Sequence, residues 1–214
     1  LVADAASNMN AIYTNGLIIE HGCWQHLRGK FKVARGSAPI KAEEGIAWIG
    51  TVFDVDETSK ELEETVEERL ARRRMESRPL VKGFEQWMAK TQHQFEPDEE
   101  LYKAIQYFRN QRTALLRFLD DGAVDLTNNL AERELGVIGR GRKAYLFAGS
   151  DDAARALAKI YTVVRTCQRL AVDPYCYLVD VLPRLSDLPV NRGRGHLNTL
   201  TPWGWQEEQA ATAK

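Results

Sequence analysis

The sequence predicts a mainly helical protein carrying a small parallel α/β remnant. Three observations carry that expectation. Two short apolar runs, Leu1-Val2-Ala3 and Leu17-Ile18-Ile19, flank a helix-competent segment from Ala5 to Thr14 closed by Asn15-Gly16, which reads as strand, helix, strand. Residues 41–120 place their apolar side chains at helical spacing with no alternating stretch between them. Asp151 to Leu170 and the segment opened by Asp173-Pro174 read as two further helices.

Taken in order, the first run ends on Asp4, so a strand delivers a carboxylate at its C-terminal end, where open α/β sheets place functional groups. The segment HGCWQHLRGKF follows, with Cys23 and His26 in C-x-x-H spacing and Arg28, Lys30 and Lys32 on a helix. A zinc site needs four ligands, and no second closely spaced Cys/His pair accompanies this one. Cys23 then reads as a buried small hydrophobe and His26 as a helix-start residue, unless the pair serves a site built from elsewhere in the chain.

Within 41–120, Ile46, Ile49 and Phe53 mark one helix. The charged run Glu57 to Met75, with Glu early and Arg72-Arg73-Arg74 late, reads as a second helix aligned with its macrodipole. Pro79 opens a third, with Phe84, Trp87 and Met88, Trp87 being expected in the core. Pro97 takes a first-turn position before a long amphipathic helix carrying Leu101, Ile105, Phe108, Leu115 and Leu119, and Asp121-Gly122 ends it.

The densest chemistry lies in Asp125 to Ser150, DLTNNLAERELGVIGRGRKAYLFAGS. Thr127 or Asn128 is a helix cap, with Asn129 beside it, and Asn128 and Glu132 share a face one turn apart. The helix is expected to give way to a glycine-rich basic loop in which Gly136, Gly139 and Gly141 space Arg140, Arg142 and Lys143, with Arg133 just after the acid. A lone carboxylate beside cations suits metal-assisted phosphoryl transfer; a capped surface helix followed by a solvated basic turn is the other reading. Beyond it, Tyr145-Leu146-Phe147 reads as a short extended piece. Ala156, Ile160, Val163, Val164 and Cys167 read as the buried stripe of the next helix, and Tyr177, Leu178, Val181 and Leu182 as that of the last. Pro189 to Gly195 reads as a flexible linker, TPWGW as a compact aromatic turn and the tail from Gln206 as disordered.

Bulk properties narrow the classes. The 214 residues carry a net charge of −1, so any nucleic-acid surface must come from local clustering. An odd number of cysteines, three, suggests reduced thiols in a cytosol. No apolar run approaches the ~18 residues of a membrane span and no signal peptide is visible, so no membrane partner is expected. The opening LVAD reads as the end of a buried strand in a longer protein.

Three segments in order, GCWQHLRGKF, NNLAERELGVIGRGRKAYLFAGS and YTVVRTCQRLAVDPYCYLVDVLPRL with a late LTPWGW, resemble the transposases of the insertion-sequence-66 family over nearly the whole chain. That resemblance implies a partial ribonuclease-H-like fold of the DDE class, interrupted by an all-helical insertion. The implied parts are residues 1–40 as the second half of the core, 41–120 as the insertion, 121–185 as the return to the core with the third acid, and 186–214 as linker and tail. It matches Asp4 to the second acid and Glu132 to the third, and puts the first upstream of residue 1. Cys23 and His26 match a C-x-x-H pair found near the active site in several related lineages, and Asn128 and Asn129 flank the acid.

The resemblance further implies two Mg²⁺ (or Mn²⁺) ions held by Asp4 and Glu132 in the complete enzyme, which would neutralise charge as a DNA phosphodiester is cleaved and transferred. It assigns phosphate contacts to Arg28, Lys30, Arg133, Arg140, Arg142 and Lys143. Double-stranded transposon ends and target are the implied partners, with a homo-oligomer in the bacterial cytoplasm at the nucleoid. The sequence departs from the pattern at Gly29, Gly136 and Ala144, where two arginines and an asparagine are usual. Those losses would weaken phosphate contacts without touching metal ligation; because the first acid is not in this chain, a truncated, inactive remnant that binds DNA or oligomerises is the alternative. A helical interaction module would instead bind neither divalent metal nor DNA.

Overall fold

The computed structural model describes residues 2–3, 18–145, 147–186 and 195–212. Asp4, and the helix expected from Ala5 to Thr14, lie outside the described residues. The chain forms two compact units, Leu1–Glu132 and Arg133–Lys214.

In the first unit, β1 (Val2–Ala3) pairs in parallel with β2 (His21–Gly22), in the register Val2 to His21 and Ala3 to Gly22. The parallel pairing agrees with the sequence, but the partner strand does not fall on Ile18-Ile19, which are exposed at 40% and 58%. His21-Gly22 is the stretch that can pack: a Cβ on Gly22 would stand 2.8 Å from the Leu115 side chain and 2.9 Å from its backbone nitrogen. Glycine lets the strand press against the helix carrying Leu115. A full ribonuclease-H-like sheet is not present among the described residues, which are dominated by helix.

Five helices follow: α1 (Trp24–Ala34), α2 (Pro39–Glu61), α3 (Val66–Arg72), α4 (Arg78–Gln92) and α5 (Glu100–Leu116). One core joins four of them through Trp24, Leu27 and Phe31 of α1, Ile49 and Val52 of α2, Phe84 of α4, and Ile105 and Phe108 of α5. Phe84 sits at its centre, with ring centroids 5.8 Å from Phe31, 5.8 Å from Trp87 and 5.6 Å from Phe108. Each such pair adds about 0.5–1.5 kcal/mol beyond burial. Trp87 packs at the edge of this core, where its indole N–H donates to Glu44.

The charged run from Glu57 is not one helix. It turns at Leu62–Thr65, with Glu63 at φ 52°, and restarts through a capping box between Thr65 and Glu68. Pro79 does not open a helix either: α3 runs into α4 through a π-helical turn, Arg73–Ser77. That turn carries Arg73, 1% exposed, whose Nε donates to Asp56 Oδ1 at 2.7 Å and whose Nη1 donates to the carbonyls of Phe118 (3.4 Å) and Asp121 (2.8 Å). Pro97 lies in the turn before α5, where Glu99 accepts from the Glu96 amide.

In the second unit lie most of α6 (Asn129–Tyr145), α7 (Asp151–Arg169), α8 (Pro174–Ser186), a short α9 (Gly195–Asn198) and α10 (Pro202–Thr212). Its small core gathers Cys167, Val172, Tyr177, Val181 and Leu200. Tyr177 Oη donates to the Leu200 carbonyl, and burial pushes its pKa up. Ser150 caps α7 and Asp173 accepts the amides of Tyr175 and Cys176 to start α8. Ala156, Ile160 and Leu182 are exposed, so the buried stripes are narrower than their apolar spacing implies.

Further expectations are corrected here. Gly136, Gly139 and Gly141 belong to α6 rather than to a loop, and Tyr145 is its last residue. A helical glycine costs about 1 kcal/mol relative to alanine, and the helix runs through all three, with Glu134 paired to Arg165 of α7. The tail is helical from Pro202 to Thr212. Pro202 sits at its first turn, Thr201 accepts the Gly204 amide, and the Trp205 indole donates to Asp180 while lying edge-on to Tyr177. Of the linker expected from Pro189 to Gly195, residues 189–194 lie outside the described residues and Gly195 opens α9.

Candidate active site around Glu132

The first helix is fixed to the far end of its unit by one residue. Trp24 donates its backbone N–H to the Leu126 carbonyl and its indole N–H to the Leu115 carbonyl, both at 2.9 Å, with its ring wholly buried. Leu126 is itself buried, so the chain leaving α5 runs alongside α1 before α6 begins. Glu132 is consequently carried to His26: Nε2 lies 3.3 Å from Oε1, with side chains 35% and 48% exposed. The pair opens onto a cleft of about 290 Å³ lined by Gln25, His26, Gly29, Lys30, Val33 and Glu132.

Asn128 occupies the capping position of α6, its carbonyl accepting the Glu132 amide at 3.0 Å. Its side-chain oxygen does not cap; Oδ1 is buried and has no partner among the described residues, as is true of His26 Nδ1. Asn129 is exposed on the first turn. Cys23 precedes α1, wholly buried and making no side-chain cap, so it packs as a small hydrophobe while His26 meets the acid. Among the described residues no three His, Cys, Asp or Glu side chains converge on a metal position.

Of the cations expected to contact DNA, Arg28 lies over the Phe53 ring and Lys30 over the Tyr107 ring, 6.0 and 5.6 Å from the centroids. Lys30 is the one that faces the Glu132 cleft. A Cβ on Gly29 would meet nothing within 4 Å, so the cleft floor is open at that position. Gln25 and Val33 join the site without any local signal in the sequence.

In the second unit, Arg133, Arg140 and Lys143 are exposed on α6, and their spacing puts them on one side of it. Glu134 and Ile138 take the side toward α7. The Arg165 guanidinium holds the Glu134 carboxyl below the usual carboxylate range. The Arg142 side chain lies outside the described residues.

Residues 1–156 match the model of the Transposase IS66 family. The chain belongs to that family. It is similar to the uncharacterized protein y4hP of Sinorhizobium fredii, 35% identical over 204 residues that cover 89% of this chain and 36% of that protein. It also resembles y4jD of the same organism, 26% identical over 194 residues, covering 89% of this chain and 37% of that protein. A third relative there, y4qI, is 30% identical over 193 residues, 87% of this chain and 34% of its own length. The chain therefore spans about a third of the length of the curated relatives it matches. No solved structure matches it. Among the described residues no helix is long and apolar enough to cross a membrane.

Proposed function

We propose that this chain is part of a DNA transposase, and that Glu132 is a carboxylate of its phosphoryl-transfer centre. The observation that carries the reading is the placement of Glu132. In a transposase family, the acid of NNLAER stands half-exposed in an open cleft, oriented by His26 and faced by Lys30. Glu134, by contrast, is committed to a two-point pair with Arg165.

Exchange of a phosphodiester is an in-line displacement: one oxygen attacks phosphorus as the opposite P–O bond breaks. Glu132 fits a divalent ion because Mg²⁺ and Mn²⁺ favour carboxylate oxygens and its side chain reaches solvent. Asp4, matched to the second acid, and a first acid upstream of this chain would be the other ligands, in a ribonuclease-H-like core to which the parallel β1–β2 pair would belong. When bound, two such ions would neutralise charge on the reacting phosphate. His26 holds the Glu132 carboxylate toward the cleft, and Lys30 attracts the phosphate backbone. Arg133, Arg140 and Lys143 offer a second cationic surface for duplex DNA on α6, in an assembly that pairs copies of the protein on transposon ends.

The test is Glu132→Gln in the full-length protein, assayed for strand cleavage of a duplex carrying the transposon end. Cleavage is lost and duplex affinity is kept if the reading holds. Cleavage at the unmodified rate would refute it.

A further inference from the structure

A second cleft meets the Glu132 cleft at Lys30, which lines both. It measures about 320 Å³, and its walls include Pro97, Tyr102, Gln106, Tyr107 and Asn110 beside Lys30. We infer that this cleft receives one unpaired nucleobase of the DNA strand whose phosphate lies in the Glu132 cleft. The inference rests on the DNA-transposase reading and names what that site would hold next to the reacting phosphate.

The chemistry of the walls selects a base. Tyr102 and Tyr107 give aromatic surface, and a base offers π-faces to stack on it whatever its sequence. The edge of a base needs donors and acceptors, which the amides of Gln106 and Asn110 supply. Those amides are set by a buried third one. Gln92, 3% exposed, donates from Nε2 to Gln106 Oε1 at 3.5 Å, and Gln106 donates to Asn110 Oδ1 at 2.8 Å, which leaves the Asn110 –NH₂ at the exposed rim. Gln92 Oε1 is buried with no partner among the described residues, an unsatisfied acceptor behind the cleft wall.

Charge separates a base from a free anion. The Lys103 ammonium is paired with Glu100 at 2.8 Å, so it contributes little net charge to the cleft. Lys30 stands over Tyr107 at the junction, where the phosphate joining a bound base to its neighbour would pass. The amides of Gln106 and Asn110 can meet only a base edge that is not already paired, so entry requires a base that is frayed, overhanging or flipped out.

The experiment compares two duplexes of equal length by fluorescence anisotropy with the whole chain, one blunt and one ending in a single unpaired 2-aminopurine. The overhanging duplex binds about tenfold tighter, within the range that stacking one base contributes, and its 2-aminopurine emission changes on binding. Tyr107→Leu keeps apolar bulk and removes the π-face, while Asn110→Leu removes hydrogen bonding at an exposed position without adding charge. Each reduces the preference to near unity, read as the ratio of the two affinities so that any general loss of duplex binding cancels. Equal affinity for the two duplexes, or a preference that survives both variants, overturns the base site and leaves the transposase reading standing. Failure of both duplexes to bind overturns the two together.

Discussion

Arg73→Met tests whether the helical block holds the approach to Glu132 in place. Arg73 is 1% exposed and faces Asp56, itself 4% exposed, with Nε in a 2.7 Å hydrogen bond and Nη2 2.6 Å from the same Oδ1 without hydrogen-bond alignment. Its guanidinium also lies 5.5 Å from the Phe118 ring centroid and ties down the carbonyls of Phe118 and Asp121. Removing it strands a buried carboxylate, which costs about 3–5 kcal/mol. The double variant Asp56→Leu, Arg73→Met removes both charges, so only the carbonyl bonds are lost, each contributing about 1 kcal/mol. Hydrogen exchange resolved by peptide reads this within the first unit. The single variant loses protection across α2, α4 and the segment from Phe118 to Leu126, and the double variant regains most of it. A loss below about 1 kcal/mol, or a double variant as weak as the single, would show that the pair is not a stabilising tether.

Three other expectations come from different parts of the molecule. A Cβ on Gly122 would stand 2.1 Å from the Val66 carbonyl oxygen, so Gly122→Ala destabilises the first unit by about 2–3 kcal/mol in urea unfolding, and an unchanged midpoint would refute that contact. Gly139 has open space around it inside α6, so Gly139→Ala stabilises that helix by about 0.5–1 kcal/mol, read from thermal unfolding by circular dichroism; a fall in stability would mean that something must approach the glycine closely. Asp180 is held below the usual carboxylate range first by the Trp205 indole N–H and then by Arg184. A depressed carboxyl contributes stability above its unfolded pKa that is lost as pH falls through the folded value, so acid weakens the docking of α10 on α8. Trp205→Phe raises the Asp180 pKa toward ordinary values, measured by carboxyl-carbon NMR titration, and an unmoved titration would count against the indole as the main cause.

The helical block was legible because its apolar residues recur with helical period and have one core to fill. Where the sequence misled, a local signal was outweighed or passed over. Glycines at 136, 139 and 141 spoke for a loop, yet at about 1 kcal/mol each they weaken a helix without forbidding it, and α6 runs through all three with Glu134 paired to Arg165. The turn at Leu62–Thr65 carries no Gly or Pro, yet Thr65 with Glu68 spells a capping box that marks the restart. Thr201 before Pro202 is likewise a helix-start signal, and the aromatic residues after it drew the reading toward a turn.

The meeting of Glu132 with His26 belongs to another class, because no spacing in the sequence encodes it. It follows from tertiary hydrogen bonds of Trp24 to Leu115 and Leu126, and from the hold of Arg73 on the carbonyls just upstream. The helical block between the two segments is thereby more than a length of inserted chain. Its buried ion pair fixes where the return strand of polypeptide begins, and Gly122 against Val66 fixes how closely it passes. Disturbing the block should therefore move the acid before it unfolds the core, since the carbonyl contacts are fewer than the apolar ones that hold α1, α2, α4 and α5 together.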